Sequence, residues 1–306
     1  MLNSTDPGAI PEQFKHLQTF VDRVEEYSQF NDLVNRPPKD RDTRILAFYG
    51  PSGIGKTMLI DRLEWGCLQR GLAYARVGLD DGTHVEKIPF LKELARQLGS
   101  EVFAPWFERY DYWFGKAEIK ITITADAPLS QTSLRDGYAT GDLVAGNKLV
   151  FAGGQFNAVP PIALNKPEGE QALTETFLDV LGELVQRKPV VLLFEDIDGE
   201  DFPRVMRKWL VTHFLDPLRL MPGYGVLPIL TMSEPPEFNP ALDYVSAINE
   251  LSQLSLADIV TYLRVLNIPE SEVESNAKNC LQIRSGRPAD VCAFARILVR
   301  NLKMRS

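Results

Sequence analysis

Eight residues, Gly50-Pro51-Ser52-Gly53-Ile54-Gly55-Lys56-Thr57, constrain this chain more than any other stretch of it. They spell G-x-x-x-x-G-K-T. They lie between a short apolar run, Ile45-Leu46-Ala47-Phe48-Tyr49, and an amphipathic segment from about Lys56 to Gln69 that is closed by Gly71. A buried strand, a glycine turn and a helix in that order aim successive backbone N–H groups, and the positive end of the helix dipole, at one point. Such a point holds a chain of phosphates. In a loop of this kind the lysine, Lys56, reaches the β- and γ-phosphates, and the hydroxyl of Thr57 is a Mg²⁺ ligand. The ligands expected are therefore ATP and Mg²⁺.

The rest of the chain supplies a frame. Residues 11–35 read as a helix with Phe14, Leu17, Val21, Val24 and Phe30 on its apolar face, ended by Pro37-Pro38. Ala73 to Leu79 reads as a strand and residues 87–98 as a helix; a helix at 170–186 and the strand Val190-Val191-Leu192-Leu193-Phe194 come later. A helix at 203–220, a strand from Gly225 to Thr231 and a fifth strand near Ala247 to Leu251 complete the series. This alternation predicts an α/β fold with a parallel sheet between two helical layers. From Ser255 onward the pattern is purely helical, which predicts a small appended subdomain. Residues 101–168 interrupt the frame with seven aromatics in twelve positions (Phe103, Trp106, Phe107, Tyr110, Tyr112, Trp113, Phe114), an alternating stretch Ile119 to Thr124, and glycines at 137, 141, 146, 153 and 154. That segment reads as an insertion, aromatic and then glycine-rich β or irregular. The expected units are thus an N-terminal helix (1–40), a core (41–251) carrying the insertion, and a helical C-terminal unit (252–306).

A second chemical signal sits at Glu195-Asp196. An apolar strand that ends in two acids puts carboxylates at the carboxyl edge of the sheet, beside the glycine loop. One acid is expected to orient Mg²⁺ and the other to polarise the attacking water, and the assignment of the two roles stays open. Asp198 adds a third carboxylate. The formal net charge of −8 does not favour sequence-independent nucleic-acid binding. Arg296, Arg300 and Lys303 share one helical face, with Arg305 just beyond, and read as cations complementing a helix end. No apolar run approaches the roughly 18–20 residues that span a bilayer. The first residues lack a secretory signal, and Cys67, Cys280 and Cys292 lack metal-ligand spacing, so a cytosolic protein with reduced thiols is expected. His16, His84 and His213 are scattered and read as structural or surface residues. The aromatic cluster reads as a local core, with a partner-binding surface as the alternative.

Together these motifs make the chain resemble the STAND and AAA+ division of P-loop ATPases, with bacterial STAND-type modules the nearest match. Phe20-Val21-Asp22-Arg23-Val24-Glu25 resembles the hydrophobic-Gly-Arg-Glu box that borders the adenine, with Asp22 where glycine is usual. Ile229-Leu230-Thr231-Met232-Ser233 is placed like the sensor-1 strand, whose polar tip senses the γ-phosphate. Glu250 to Ser255 resembles the L-x-x-L-S stretch leading into the lid, and Gly286-Arg287-Pro288 the G-x-P motif whose proline packs at the nucleotide. The resemblance spans residues 17–100 and 170–300. It departs at Glu195, where the family has Asp, and in the insertion, whose Gly141 to Lys148 rhythm is similar to glycine-rich β segments of some bacterial STAND proteins.

The resemblance implies a P-loop NTPase core with a helical lid. Lys56, Glu195, Asp196 and Ser233 would act at the phosphates, and Arg23, Arg287 and Pro288 would border the nucleotide. It further implies a slowly hydrolysing, nucleotide-switched signalling module, with bacterial defence among its settings. Such a module meets a protein partner or another copy of itself through 101–168 or the lid. A DNA-associated loader or transposition regulator, and a scaffold that binds nucleotide without hydrolysing it, are the alternatives. From Met221 through Leu263, 43 residues contain no Lys or Arg. Ring-forming AAA+ ATPases normally carry there the arginine that reaches a neighbour's γ-phosphate, so slow turnover is expected, with Arg204, Arg207, Arg219 and Arg287 as the remaining candidates.

Overall fold

The computed structural model describes residues 11–19, 22–36, 43–78, 86–114, 150–151, 154–155, 166–199, 202–221 and 225–305. Its strands are β1 (Ile45–Tyr49), β2 (Ala73–Gly78), β3 (Val150–Phe151), β4 (Gly154–Gln155), β5 (Val190–Glu195), β6 (Val226–Met232) and β7 (Ser246–Glu250). Five of them form a parallel sheet in the order β2-β5-β6-β1-β7. All six residues of β5 and all seven of β6 are buried, as a sheet covered on both faces requires.

The alternation of side chains sorts these strands between two cores. Leu46, Phe48, Val191, Leu193, Leu227 and Ile229 pack with helices α1 (Val24–Asn35) and α2 (Lys56–Arg70). Ala47, Ala75, Val77, Leu192, Phe194 and Leu230 pack on the other face. There they meet α3 (Lys87–Gly99), α4 (Ala104–Phe114), α5 (Lys166–Leu184) and a broken helix. That helix runs α6 (Arg204–Trp209), a π-helical turn (Leu210–Leu215) and α7 (Asp216–Leu218). This is the three-layer arrangement expected. A short α8 (Pro240–Asp243) leads into β7.

Three local expectations are corrected. Residues 11–35 do not form one helix: a 3₁₀ helix (Glu12–Thr19) and α1 meet at Arg23, whose φ of +72° interrupts helical geometry. Phe14, Leu17 and Phe30 are buried as expected, but Val24 is 75% exposed, and Val21 lies outside the described residues. The helix expected over 203–220 widens into a π turn ahead of Pro217, which has no N–H to donate. The aromatic stretch is helical and belongs to the main core. Phe103, Trp106, Tyr110 and Phe114 recur at helical spacing, Phe103 and Trp106 are fully buried, and the Trp106 indole donates to the Leu173 carbonyl of α5 at 3.0 Å. Of the glycine-rich part the structure describes the antiparallel β3–β4 pair. The alternating stretch 119–124 and the glycines from 137 to 146 lie outside the described residues.

At the outer edge of the sheet the side-chain amide of Gln97, on α3, pairs with the Arg76 peptide of β2: it accepts from the N–H and donates to the carbonyl, each at 2.7 Å. At the other end of the chain, α9 (Leu256–Val265), α10 (Glu270–Arg284) and α11 (Pro288–Arg305) close on a third core of their own, including Ile259, Leu263, Val273, Ala277, Cys280 and Val291. Ser255 and Asp258 form a reciprocal capping box that starts α9. The leucines of the linking segment divide between neighbours: Leu251 packs in the α1–α2 core and Leu254 in the helical one. Gly286 closes the unit. Its φ is +74°, its carbonyl accepts from Leu254 N–H at 2.8 Å, and a Cβ there would stand 2.4 Å from the Leu254 oxygen. Among the described residues no helix is long and apolar enough to cross a membrane.

Candidate functional site

The loop after β1 turns on three glycines with positive φ, of which Gly53 (+80°) and Gly55 (+99°) lie in the left-handed region that side chains avoid. Gly55 caps α2, so Lys56 opens the helix. Its ammonium is buried, donates to the Gly50 carbonyl at 2.9 Å and faces the Asp196 carboxylate at 3.8 Å. A cavity of about 510 Å³ lies over the loop, a size typical of small-ligand sites. Ser52, Gly53, Ile54, Gly55, Lys56 and Thr57 line it from the core, with Asp196 beside them. Pro288, Ala289, Cys292 and Arg296 of α11 line it from above. Gly50 and Pro51 form the approach to the loop: the Gly50 N–H donates to Met232 at 3.1 Å, and the Pro51 carbonyl accepts from Ile54.

The helical unit touches the loop directly. The Ala289 N–H donates to the Gly53 carbonyl at 3.1 Å, and a Cβ on Gly53 would meet the Ala289 Cβ at 3.0 Å. Glycine is therefore required here for close approach as well as for φ. The N-termini of α2 and α11 both open onto the cavity, and the dipoles of both helices favour an anion there.

The sequence matches the AAA ATPase domain over residues 19–222, two thirds of the chain, including the loop and both acids. The chain belongs to the AAA ATPase domain family. Solved structures superpose on it at low identity. A STAND protein (signal transduction ATPase with numerous domains) with a tetratricopeptide repeat sensor, from Pyrococcus horikoshii, gives a TM-score of 0.42 at 16% identity over 88% of this chain and 28% of its own. ORC2 of Aeropyrum pernix in its ADP form gives 0.44 at 13% over 94% and 64%, and Cdc6p of Pyrobaculum aerophilum 0.46 at 11% over 98% and 65%. The chain thus spans less than two thirds of the length of each of these three. No curated protein matches it.

Within this AAA ATPase domain the two acids part company. Glu195 is the last residue of β5 and, in step with Val191 and Leu193, points to the α2 face. There its carboxylate accepts from Arg76 Nε at 2.5 Å, and the same guanidinium holds Asp61 and Glu64 of α2 at 2.6 and 2.7 Å. Glu195 is 8% exposed, and burial raises its carboxyl above the usual range, with Arg76 opposing and Asp61 and Asp196 assisting. Burial pulls the Arg76 guanidinium down, but its hydrogen bonds to three carboxylates win and raise it. One cation shared by three acids leaves burial dominant at Glu195. Asp196 leaves the strand with φ +49° and is the acid that reaches Lys56; its N–H donates to the buried Thr231 hydroxyl at 3.2 Å. The structure therefore brings Lys56, Thr57 and Asp196 together at the loop and places Glu195 in a neighbouring charged cluster, whereas the sequence put both acids beside the loop, one for Mg²⁺ and one for water.

The remaining expected residues divide between the cavity and its surroundings. Ser233 is exposed and outside the cavity lining formed by the described residues; its N–H, with that of Glu234, donates to Asp198 at 2.8–3.0 Å. Arg23, expected at the adenine, does line the cavity, but it is only 3% exposed and its guanidinium serves protein: Nη2 donates to the Ile54 carbonyl at 2.9 Å and the Ser252 carbonyl at 2.7 Å. It joins the phosphate loop to the segment leading into the lid. Pro288 lines the cavity, whereas Arg287 lies beside Gly53 with its Nε donating to Asp290 at 2.7 Å. Arg296, read from sequence as a cation at a helix end, lines the cavity instead. Its spacing of eight residues from Pro288 (296 − 288), about two turns, put both on one face of α11 and was the available signal. Tyr262 and Cys292, joined by a 3.4 Å O–H···S contact, complete the wall and carried no sequence signal.

Proposed function

We propose that this chain is a nucleotide-switched ATPase that binds Mg·ATP on the Gly50–Thr57 loop, hydrolyses it slowly, and conveys lid position to a protein partner. The observation that carries this reading is the meeting of Lys56, Thr57 and Asp196 in one cavity roofed by a separately cored helical unit. In this reading the Lys56 ammonium exchanges its bond to the Gly50 carbonyl for the β- and γ-phosphates. The loop N–H groups and the N-termini of α2 and α11 take the remaining phosphate charge. The Thr57 hydroxyl and the Asp196 carboxylate, both oxygen donors, fit Mg²⁺, which when bound would neutralise charge on the phosphates. Asp196 would also orient the attacking water, and Arg296 would meet the phosphates from the lid.

Slow turnover is supported by the basic-residue gap from Met221 through Leu263 in this sequence. A finger arginine elsewhere accounts for about 10³- to 10⁵-fold in rate. A signalling role in the cytoplasm, with residues 101–168 or the lid meeting the partner, follows from the resemblance to STAND modules. Calorimetric titration with Mg·ATP tests the base of this reading. Lys56→Ala is expected to weaken binding by more than about 100-fold, and unchanged affinity would remove the phosphate-loop assignment.

A further inference from the structure

Three consecutive residues carry the chain away from β5, and each is fastened to the tip of β6. The Asp196 N–H donates to the Thr231 hydroxyl at 3.2 Å, and the Ile197 N–H to the Thr231 carbonyl at 3.1 Å. Asp198 completes the series with its side chain. Its carboxylate accepts from the Ser233 N–H on both oxygens, at 2.9 and 2.8 Å, and from the Glu234 N–H at 3.0 Å. Between the two acids, Ile197 is buried in the core on the α3–α5 face of the sheet.

This fastening has something to hold. Asp196 adopts φ +49°, left-handed backbone that a side chain seldom occupies and that persists where its surroundings enforce it. In that conformation its carboxylate faces Lys56 at 3.8 Å. Asp198 has no part in the cavity lining formed by the described residues. Its tie is also the only one of the three made by a side chain of residues 196–198, so a substitution removes it alone.

We propose that Asp198 is a positioning residue for hydrolysis, an assignment that rests on the ATPase reading above. Its carboxylate clamps residues 196–198 to the tip of β6 and so keeps the Asp196 carboxylate aimed at the phosphate loop, where the attacking water must be oriented. Asp198 acts through Asp196 and contributes position, not charge.

Steady-state phosphate release over a range of Mg·ATP concentrations tests this on Asp198→Ala, Asp198→Asn and Asp198→Glu, with calorimetry counting the binding-competent sites. The Asn side chain keeps an acceptor oxygen in place without the charge, whereas Glu keeps the charge and moves it by one methylene. Asp198→Ala is expected to lower kcat per competent site at least about tenfold with KM within about threefold of wild type, because the loop that binds the phosphates is untouched. Asp198→Asn should stay within about threefold of wild-type kcat, and Asp198→Glu should be as slow as Asp198→Ala. If Asp198→Ala does not fold, the Asn and Glu variants decide by themselves. A kcat for Asp198→Ala within about twofold of wild type overturns the proposal. So does a loss of competent sites at constant kcat per site, which is a purely structural role. An active Asp198→Glu beside an inactive Asp198→Asn overturns it too, because the charge would then act directly on metal or water. In those outcomes wild type still binds triphosphate and the phosphate-loop reading stands. If wild type neither binds nor hydrolyses ATP, that reading fails first and takes this one with it.

Discussion

The cavity has two walls built on different principles. The core wall is continuous chain: β1, the glycine loop and α2 follow one another in sequence, and two large hydrophobic clusters hold them from either side of the sheet. The lid wall rests on a separate, smaller cluster and meets the loop through the Ala289–Gly53 bond, with Arg23 bridging Ile54 and Ser252 at its root. Few contacts between independently packed bodies are what a switching element needs, because one can shift without unpacking the other.

Arg23 is where the two walls join, and its loss should have the largest effect. Arg23→Ala leaves two carbonyls and the neighbouring carboxylates of Asp22 and Glu26 without their buried cation, at about 3–5 kcal/mol. Hydrogen exchange should show α9, α10 and α11 losing protection ahead of the sheet. Uniform loss across both bodies would mean that the lid is not a separate unit.

Next comes the core wall alone. Asp196→Asn should keep ATP affinity within a few-fold and lower turnover by about 100-fold or more, followed by phosphate release. Turnover close to wild type would transfer the water-orienting role away from Asp196, to Glu195 or Asp198.

The smallest effect belongs to the lid alone. Gly286→Ala forces a side chain into left-handed backbone against the Leu254 oxygen, at about 2 kcal/mol. Lid amides should exchange faster while the melting of the sheet stays nearly constant. A matching drop in sheet stability would contradict the division into two bodies.

The sequence revealed the core wall better than the lid wall for a physical reason. Gly50 to Thr57 acts through its own backbone, so its chemistry is written in consecutive letters. The strand pattern was equally local, as was the helical spacing of Phe103, Trp106 and Tyr110, although their helix was read as part of an insertion. Glu195 shows where local reading ends. Glu195 ends the strand facing α2 while Asp196 turns out of it at φ +49°, so a pair of letters is not a pair of ligands. Arg76, 119 residues away, decides where one of them goes. Arg23 and Arg296 were assigned by motif and by charge, but their partners depend on how α11 and the Ser252 segment dock. Docking is a tertiary event with no local spelling.

The Gln97 amide that pairs with the Arg76 peptide has one more consequence. It occupies the seat that the backbone of an added strand would take beside Arg76 at the outer edge of β2, so a second chain pairing there would have to displace it. An assembly that lengthened the sheet at that edge would therefore first have to free the Arg76 peptide.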